Sequence, residues 1–419
     1  MSGINHQEFD HMLEKYAELV LRIGVNIQPG QVLFIESPLE TVELTRKIVR
    51  RAYQAGAKYV QVQWDDEQVT RARFEHAPDE SFDFYPQWTA KMMEQLAEGG
   101  GALLNIKVPD PDLYNGIDGK KVTRANKAAS LARQTFQRYV RNSDFSWCLV
   151  KAPTHAWASK VFADLPEEER VDAMWQTIFK MNRVDTPDPV ASWQEHLDVL
   201  LAKRNALNAK NYKSLHFKAP GTDLVVELAE NHRWLGGGKN NGFGVYFVAN
   251  MPTEEVYTMP KRTGVNGTVK STMPLNLNGR LVDGFSLTFK DGKVVSFQAE
   301  VGEEHLAALL DTDENARYLG EVALVPYHSP ISDLRRIFYN TGIDENASCH
   351  LALGSAYPTN MENGTTYSRE ELIARGANVS LVHTDFMLGS ADMDIDGERY
   401  DGTVEAVFRQ GNWAPGTLG

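Results

Sequence analysis

The stretch "QVLFIES" (31–37) decides the fold of the first half of the chain, because this short apolar run follows a "QPG" turn and leads into a helical pattern. The helical pattern spans about residues 42–55, and a second apolar run, "KYVQVQW" (58–64), comes directly after it. Two more apolar runs, at 101–108 and 145–153, each follow a helical pattern. This alternation predicts an α/β fold with a doubly wound, largely parallel sheet. No glycine-rich phosphate loop follows the first strand, so the sequence supports no nucleotide cofactor.

The second half of the chain has a different pattern, in which strands dominate. "SLHFKAPGTDLVVELAE" (214–230) predicts two strands about a Pro-Gly turn, and "GFSLTFKDGKVVSFQAEV" (284–301) predicts a hairpin with Asp291-Gly292 at its tip. The change follows a long helical stretch that ends near residue 208. We therefore predict an amino-terminal α/β domain of residues 1–208 and a strand-rich α+β domain of residues 209–419.

Composition and charge narrow the class of protein. The 419 residues carry a formal net charge of −13, which argues against nucleic acid or an anionic membrane as the main partner. No apolar run approaches the roughly 20 residues needed to span a bilayer, and residues 1–25 have the spacing of an amphipathic helix rather than the order of a signal peptide. Two cysteines, Cys148 and Cys349, are too few for a disulfide framework. We therefore expect a soluble, cytoplasmic protein.

Four segments of the second half place side chains of metal-binding type in unusual surroundings. The segments are "NMPTEEVYTMP" (250–260), "LGEVALVP" (319–326), "DENASCHLALGSAYP" (344–358) and "VHTDFM" (382–387). Their candidate site residues are Glu254, Glu255, Glu321, His350, Tyr357, His383 and Asp385. Two glutamates, two histidines and one aspartate form the set that two divalent ions sharing a carboxylate would require.

Each of these segments also has a plain structural explanation. Adjacent glutamates are most often a solvated turn, and Glu321, which stands directly before an apolar run, is a partly buried acid that needs a partner. A histidine flanked by Cys349 and Leu351 is as readily a satisfied core residue. His383 and Asp385 point to the same face if their segment is a strand, which permits a shared ion without requiring one. The residues alone leave both explanations open.

Taken in order, the strings "PTEEVYTMP", "YLGEVALVP", "ENASCHLALGSAYP" and "LVHTDFM" resemble the aminopeptidase T/aminopeptidase S family of dinuclear metallo-aminopeptidases. The resemblance covers essentially the whole chain, since similar segments also occur as "APTHAWAS" (152–159), "RVDTPDPVASW" (183–193), "RWLGGG" (233–238) and "FRQGNWA" (408–414). Any one string is a weak signal, whereas the ordered set is highly specific.

The resemblance implies a dinuclear centre of zinc, cobalt or manganese, with magnesium as a further option, in the carboxy-terminal domain. It also implies removal of single amino acids from peptides with a free amino terminus, and a homodimer. By position in the motifs, the implied metal ligands are Glu255, Glu321, His350, His383 and Asp385, with Tyr357 beside the metals as ligand or catalytic neighbour. Of the pair Glu254-Glu255, the second residue is the preferred match.

Such a ligand set suggests how a peptide bond would be hydrolysed. Two ions lower the pKa of a bridging water and polarise the peptide carbonyl. We predict that Glu321 bridges the ions, because a carboxylate has two oxygens and a histidine presents one ring nitrogen at a time. Glu254 or Glu255 is the candidate proton shuttle, and Tyr357 is the candidate hydrogen-bond donor to the developing oxyanion.

Two alternatives draw on parts of the same sequence. "DMDIDGERYDGT" (392–403) begins like a calcium-binding EF-hand loop, but Thr403 replaces the bidentate glutamate at the twelfth position. A hairpin that turns at Asp396-Gly397 is the preferred interpretation of this stretch. A dinuclear metallophosphoesterase would use the same ligand types, although no basic or helix-terminal group suited to phosphate adjoins the four segments.

Overall fold

The computed structural model describes residues 5–107, 110, 112–277 and 280–416. The helices are α1 (His6–Leu19), α2 (Val42–Gln54), α3 (Glu67–His76), α4 (Gln87–Glu98), α5 (Gly119–Ala132), α6 (Gln134–Asn142), α7 (His155–Val161), α8 (Glu167–Met181), α9 (Pro189–Lys210), α10 (Glu303–Leu310), α11 (Thr341–Asp344) and α12 (Arg369–Ala374). Within the described ranges, none of these helices has the length and apolar character needed to cross a bilayer.

The strands are β1 (Val32–Pro38), β2 (Tyr59–Asp65), β3 (Ala102–Lys107), β4 (Ser146–Lys151), β5 (Ser214–Ala219), β6 (Thr222–Leu228), β7 (Leu235–Gly236), β8 (Lys239–Asn240), β9 (Tyr246–Phe247), β10 (Val256–Thr258), β11 (Pro260–Lys270), β12 (Leu275–Leu277), β13 (Arg280–Val282), β14 (Ser286–Lys290), β15 (Lys293–Gln298), β16 (Leu319–Leu324), β17 (His350–Gly354), β18 (His383–Met387), β19 (Asp394–Glu398), β20 (Val404–Arg409) and β21 (Asn412–Trp413).

The chain folds into two compact units. The first unit comprises the residues up to 195 together with 238–252, and the second comprises 196–237 together with the residues from 253 onward. Residues 238–252 belong to the first unit because their backbone bonds to β4: the Leu149 N–H donates to Ala249 O at 2.8 Å, and the Met251 N–H donates to Leu149 O at 2.9 Å. The predicted boundary near residue 208 divides the chain once and does not include the return of residues 238–252 to the first unit. The domain limits 1–208 and 209–419 stay a prediction.

The first unit is built on a parallel sheet with the strand order β2-β1-β3-β4. Apolar side chains of the strands pack against the helices that connect them, as Phe34 of β1 and Leu103 of β3 do with Met93 of α4 and Phe136 of α6. These strands follow the four apolar runs of the sequence, and the prediction of a parallel α/β sheet is confirmed.

The second unit contains two antiparallel sheets that share one apolar core. One sheet has the order β15-β14-β11-β6-β5-β19-β20-β21, and the other has the order β18-β17-β16-β10-β7. Along the five-stranded sheet alternate residues enter that core, among them Val322 and Leu324 of β16 and Leu351 and Leu353 of β17. The residues between them therefore lie on the opposite face of the sheet.

The two predicted hairpins of the second unit are present, but the turn predicted at Asp396-Gly397 is wrong. These two residues lie inside β19, and the chain turns after Glu398, where Gly402 has a φ of +83°. Gly397 serves packing instead, because a Cβ on it would come 2.6 Å from a ring carbon of Tyr212. Asp394 and Asp396 consequently lie along a strand and do not curve around a calcium ion as in an EF-hand loop.

Candidate metal centre

The register of the five-stranded sheet lines up polar residues on the face opposite the apolar core. Residues directly opposite each other on paired strands share a face. Glu321 of β16 pairs with Ala352 of β17, and Ala352 pairs in turn with Asp385 of β18. Two positions along, Ala323 pairs with His350, so that residue lies on the same face. Three of the predicted site residues thus come together through strand pairing alone.

Two alanines give these long side chains room to meet. Neighbouring strands lie about 4.8 Å apart, so Glu321 and Asp385, two strands apart, are separated by about 9.6 Å at the backbone. Ala352, which stands between them, is fully buried, and Ala323 beside His350 is fully buried as well. Because only the methyl group of Ala352 lies between them, the carboxylates of Glu321 and Asp385 can converge above it.

The converging side chains form two overlapping groups. One group is Glu255, Glu321 and His350, and the other is Glu321, His383 and Asp385. Within each group the potential ligand atoms all lie within 4.8 Å of one another. Glu321 belongs to both groups, with Oε1 at 3.6 Å from His350 Nε2 and Oε2 at 3.8 Å from His383 Nε2.

Two carboxylate oxygens of this cluster are buried without a hydrogen bond. Glu255 Oε2 lies 3.1 Å from His350 Nε2, and Asp385 Oδ1 lies 3.4 Å from His383 Nε2. Neither contact has hydrogen-bond geometry, and no other residue in the described part of the chain donates to these two oxygens. Leaving a buried charged acceptor unsatisfied costs more than leaving a neutral one, so the cluster has the character of a cation site.

The backbone fixes both imidazole rings in the orientation that a metal ligand needs. Nδ1 of His350 lies 3.0 Å from Ser348 O, and Nδ1 of His383 lies 2.7 Å from Ser355 O. A carbonyl oxygen only accepts, so each Nδ1 carries the hydrogen and each Nε2 faces the carboxylates. This arrangement, in which a backbone acceptor holds the far side of the ring, is typical of histidines that bind metals.

The electrostatics of the cluster also call for positive charge. Burial lowers the pKa of His350, but its contacts with Glu255 and Glu321 outweigh burial and raise that pKa well above its ordinary value. Burial likewise opposes the contact of His383 with Asp385, and the pKa of His383 is nevertheless raised to about 10. Burial raises the pKa of Glu321 to about 7. Protons on the imidazoles therefore balance the carboxylates until cations replace them.

The two adjacent glutamates occupy different environments. Glu255, which Gly236 on β7 adjoins, is the member of the pair that lies in the cluster. Glu254 is 5% exposed, and its Oε2 lies 3.5 Å from Nε2 of His196 on α9. The geometry thus separates a glutamate that faces the other candidate ligands from one that faces a helix.

Tyr357 stands at the open side of the cluster. The residue is 42% exposed, and its ring centroid lies 4.8 Å from that of His383. Loss of hydration around the hydroxyl, together with the nearby carboxylates of Glu321 and Asp385, raises the pKa of Tyr357. The phenol therefore keeps its proton at neutral pH and can donate a hydrogen bond.

Glu345 is a further acidic residue of the site, and sequence reasoning missed it. Burial raises its pKa well above the ordinary value, and the carboxylates of Asp385 and Glu255 add to this effect. Glu345 lies five positions before His350 in the "DENASCH" segment, but it belongs to a short helical turn whose direction the sequence pattern does not reveal.

The donor set fits divalent metal ions. Carboxylate oxygens and imidazole nitrogens are the ligands that zinc, cobalt and manganese accept. Across the described residues, no lysine or arginine forms an ion pair with the five clustered side chains, so histidines are the basic residues that face the carboxylates. Such a cluster defines the site of a metal-dependent protein, and two ions held by ligands of this kind are suited to hydrolytic chemistry.

Comparison with known proteins identifies the class more narrowly. The chain belongs to the thermophilic metalloprotease family (M29), whose sequence profile matches residues 9–413. The resemblance seen in the four motifs is thereby confirmed.

Individual relatives agree over almost the full chain. Aminopeptidase 2 of Geobacillus stearothermophilus is 54% identical over 402 residues, which are 96% of this chain and 97% of the relative. Aminopeptidase AmpS of Bacillus subtilis is 47% identical over 97% of this chain and 99% of its own length. Among solved structures, wild-type AmpT from Thermus thermophilus matches with a TM-score of 0.92 and 42% identity, covering 97% of this chain and 100% of that structure.

Proposed function

We propose that this metalloprotease is an aminopeptidase that removes the first residue of peptides through a dinuclear metal centre. The observation that carries the proposal is the pair of overlapping ligand groups that share Glu321. The names of the relatives, all of them aminopeptidases, support the choice of substrate. The catalytic unit is the carboxy-terminal domain, predicted as residues 209–419.

Each ion has its own set of ligands in this proposal. Glu255, Glu321 and His350 would hold one ion, and Glu321, His383 and Asp385 would hold the other. Glu321 would be shared by both, since its Oε1 faces His350 and its Oε2 faces His383. His383 and Asp385 would then serve the same ion, in keeping with their position two residues apart on one face of β18.

Zinc, cobalt or manganese suits this centre better than magnesium. Magnesium prefers an all-oxygen shell and retains several of its waters, whereas here an imidazole nitrogen enters each ligand group. The three carboxylates of Glu255, Glu321 and Asp385 exceed the charge that one divalent ion balances. A second ion would therefore neutralise the negative charge that one ion leaves on the carboxylates.

The ions, when bound, would activate a water between them and polarise the carbonyl of the scissile peptide bond. Around them the protein supplies groups with separate tasks. Tyr357, partly exposed and with its ring tilted against that of His383, is placed to donate its hydroxyl hydrogen to the oxyanion. Glu255 or Glu254 holds the proton that the leaving amine takes up. We assign Tyr357 as a donor and not as a metal ligand.

The experiment that tests this function compares two substrates with and without chelator. The metal-loaded protein should hydrolyse an aminoacyl p-nitroanilide, and the same compound with an acetylated amine should remain intact. Dialysis against chelator should abolish the activity, and zinc, cobalt or manganese should restore it. Hydrolysis of an aryl phosphate in preference to the amide would support the metallophosphoesterase alternative. Amide hydrolysis that survives removal of the metals would overturn the proposal.

A homodimer and a cytoplasmic location complete the proposal. The homodimer rests on the family resemblance, and the cytoplasmic location rests on the composition of the sequence and its two cysteines. Measurement of the mass in solution by light scattering tests the dimer independently of activity, and a mass of 47.0 kDa would contradict it.

A further inference from the structure

The segment that carries Glu255 lies outside regular structure just where the ligand must be placed. Residues 253–255 belong to no strand, and β10 begins only at Val256. Thr253 and Glu254 are nevertheless buried, with 6% and 5% exposure. Buried backbone groups need partners, so side chains must supply what strand pairing does not.

Two side chains hold the backbone of this segment. Nε2 of His196 lies 2.8 Å from Thr253 O. The Glu254 N–H donates to Asn346 Oδ1 at 2.8 Å. Asn346 is 1% exposed, and its Nδ2 makes a weaker contact of 3.4 Å to Gly342 O. Asn346 therefore fixes the peptide group between Thr253 and Glu254, one residue before Glu255.

Strand order shows why such a link is needed. In the five-stranded sheet β16 lies between β10 and β17, so no backbone ladder joins the strand after Glu255 to the strand that begins at His350. Yet Glu255 Oε2 and His350 Nε2 lie 3.1 Å apart. Asn346 stands four residues before His350 and bonds to the residue before Glu255. It connects the two ligand segments without passing through β16.

We propose that Asn346 is a positioning residue for one of the two metal ions. It sets the distance between Glu255 and His350, while the group of Glu321, His383 and Asp385 is held by the pairing of β16, β17 and β18. This inference rests on the proposed ligand sets. The inference predicts an unequal effect. Loss of the Asn346 amide oxygen should lower the affinity for one ion and leave the affinity for the other unchanged.

The test is a calorimetric titration of the chelator-treated full chain with zinc. The wild-type protein should bind two ions per chain. Asn346→Ala should lower the affinity of one site by about 10- to 100-fold and change the other by less than about threefold, because removal of a group that orients a ligand has effects of this size. Glu255→Gln marks the affected site, since it removes a ligand of that ion only.

Two further variants separate positioning from a general loss of structure. Asn346→Asp keeps an oxygen that can accept the Glu254 N–H, and it should restore most of the affinity. Asn182→Ala removes a buried amide of the first unit, which bonds to Ile178 O at 2.9 Å, and should leave both affinities unchanged. The unfolding midpoint of each metal-free variant is measured alongside, so that a loss of stability is seen separately.

The possible outcomes are distinguishable. If Asn346→Ala weakens both sites equally, or neither, the positioning role is wrong while the metal centre stands. If the wild-type protein binds fewer than two ions, or if Glu255→Gln leaves binding unaltered, the proposed centre itself is wrong. Selective loss of the site marked by Glu255→Gln, with rescue by Asn346→Asp, establishes the inference.

Discussion

Each unit carries a glutamate inside a strand, and the two glutamates have different neighbours. In the parallel sheet, Glu36 of β1 is the register partner of Asn105 of β3, and Asn105 Nδ2 donates to Glu36 Oε2 at 2.5 Å. In the antiparallel sheet, Glu321 pairs with Ala352, beyond which lies Asp385. The first acid is satisfied by the protein. The second faces other acids and imidazoles, so an acid within a strand points to a metal only when its neighbours across the sheet are themselves candidate metal ligands.

The largest difference should appear when each glutamate is made neutral. Glu321→Gln should leave neither ion tightly bound, because both ligand groups lose their shared carboxylate. We expect kcat/KM for an aminoacyl anilide to fall by at least about 1,000-fold, since the metals contribute several kcal/mol to the transition state. Metal content by mass spectrometry and steady-state kinetics measure this.

The matched change in the other sheet is Glu36→Gln. An amide at this position can still accept from Asn105, so metal content and kcat should equal those of the wild-type protein. Near-normal activity of Glu321→Gln with two bound ions would remove the basis of the comparison. A metal loss in Glu36→Gln would do the same.

A smaller contrast is expected between two tyrosines, one from each unit. Tyr16 is fully buried, and its hydroxyl donates to Lys151 O at 2.9 Å. Tyr357 is partly exposed beside His383. Tyr357→Phe should lower kcat by about 100-fold and leave metal content unchanged, because it removes a donor to the oxyanion and keeps the ring contact.

Tyr16→Phe should show the reverse pattern. Loss of its hydrogen bond should lower the free energy of unfolding by about 1 kcal/mol, with kcat unchanged. Urea denaturation and kinetics on both variants distinguish the two roles. If Tyr357→Phe lost metal, the hydroxyl would be a ligand and the assignment as donor would be incorrect.

Local patterns in the sequence predicted much of the fold. Apolar runs gave the four parallel strands, and turn residues gave the hairpins at 220–221 and 291–292. The stretch 392–403 contains two Asp-Gly pairs, and the prediction chose the wrong one. Gly402 is required in the turn because its φ is positive, whereas Gly397 is required because a Cβ there would clash with Tyr212. The sequence does not distinguish these two reasons for a glycine.

The site was predicted less completely than the fold. Motif resemblance gave the candidate ligands, but it gave no distances between them, and the ligand set remains a proposal. Placement of β10 beside β16 is a long-range pairing with no local signal. The acceptors that orient His350 and His383 are backbone carbonyls. Because every residue has a backbone carbonyl, the sequence does not indicate which ones serve this purpose. Glu345 and Asn346 have the same difficulty, since their roles depend on the direction of a short turn.

The smallest expected effect concerns a half-buried charge in the first unit. Lys239 lies with its ammonium 5.7 Å from the ring centroid of Trp147 and 5.9 Å from that of Phe247. Over the described residues, no carboxylate forms an ion pair with it, and burial lowers its pKa to about 8. In contrast to the charged groups around Glu321, the Lys239 ammonium lies near two aromatic rings and forms no ion pair among the described residues. Its replacement by an apolar side chain should therefore not impair the protein.

The sign of the pH dependence follows from that lowered pKa. Between about pH 8 and the ordinary lysine value near 10.5, the unfolded chain holds a proton that the folded chain has released, so the free energy of unfolding rises with pH by at most about 1.4 kcal/mol per unit. Lys239→Met should remove this rise and should be more stable than the wild-type protein below pH 8, with kcat unaltered. Urea midpoints measured from pH 7 to pH 9.5 test this, with the exposed Lys58→Met as control. Equal pH profiles for the Lys239→Met and wild-type proteins would mean that the ammonium is as well solvated as an exposed lysine, and the contrast between the charges of the two units would disappear.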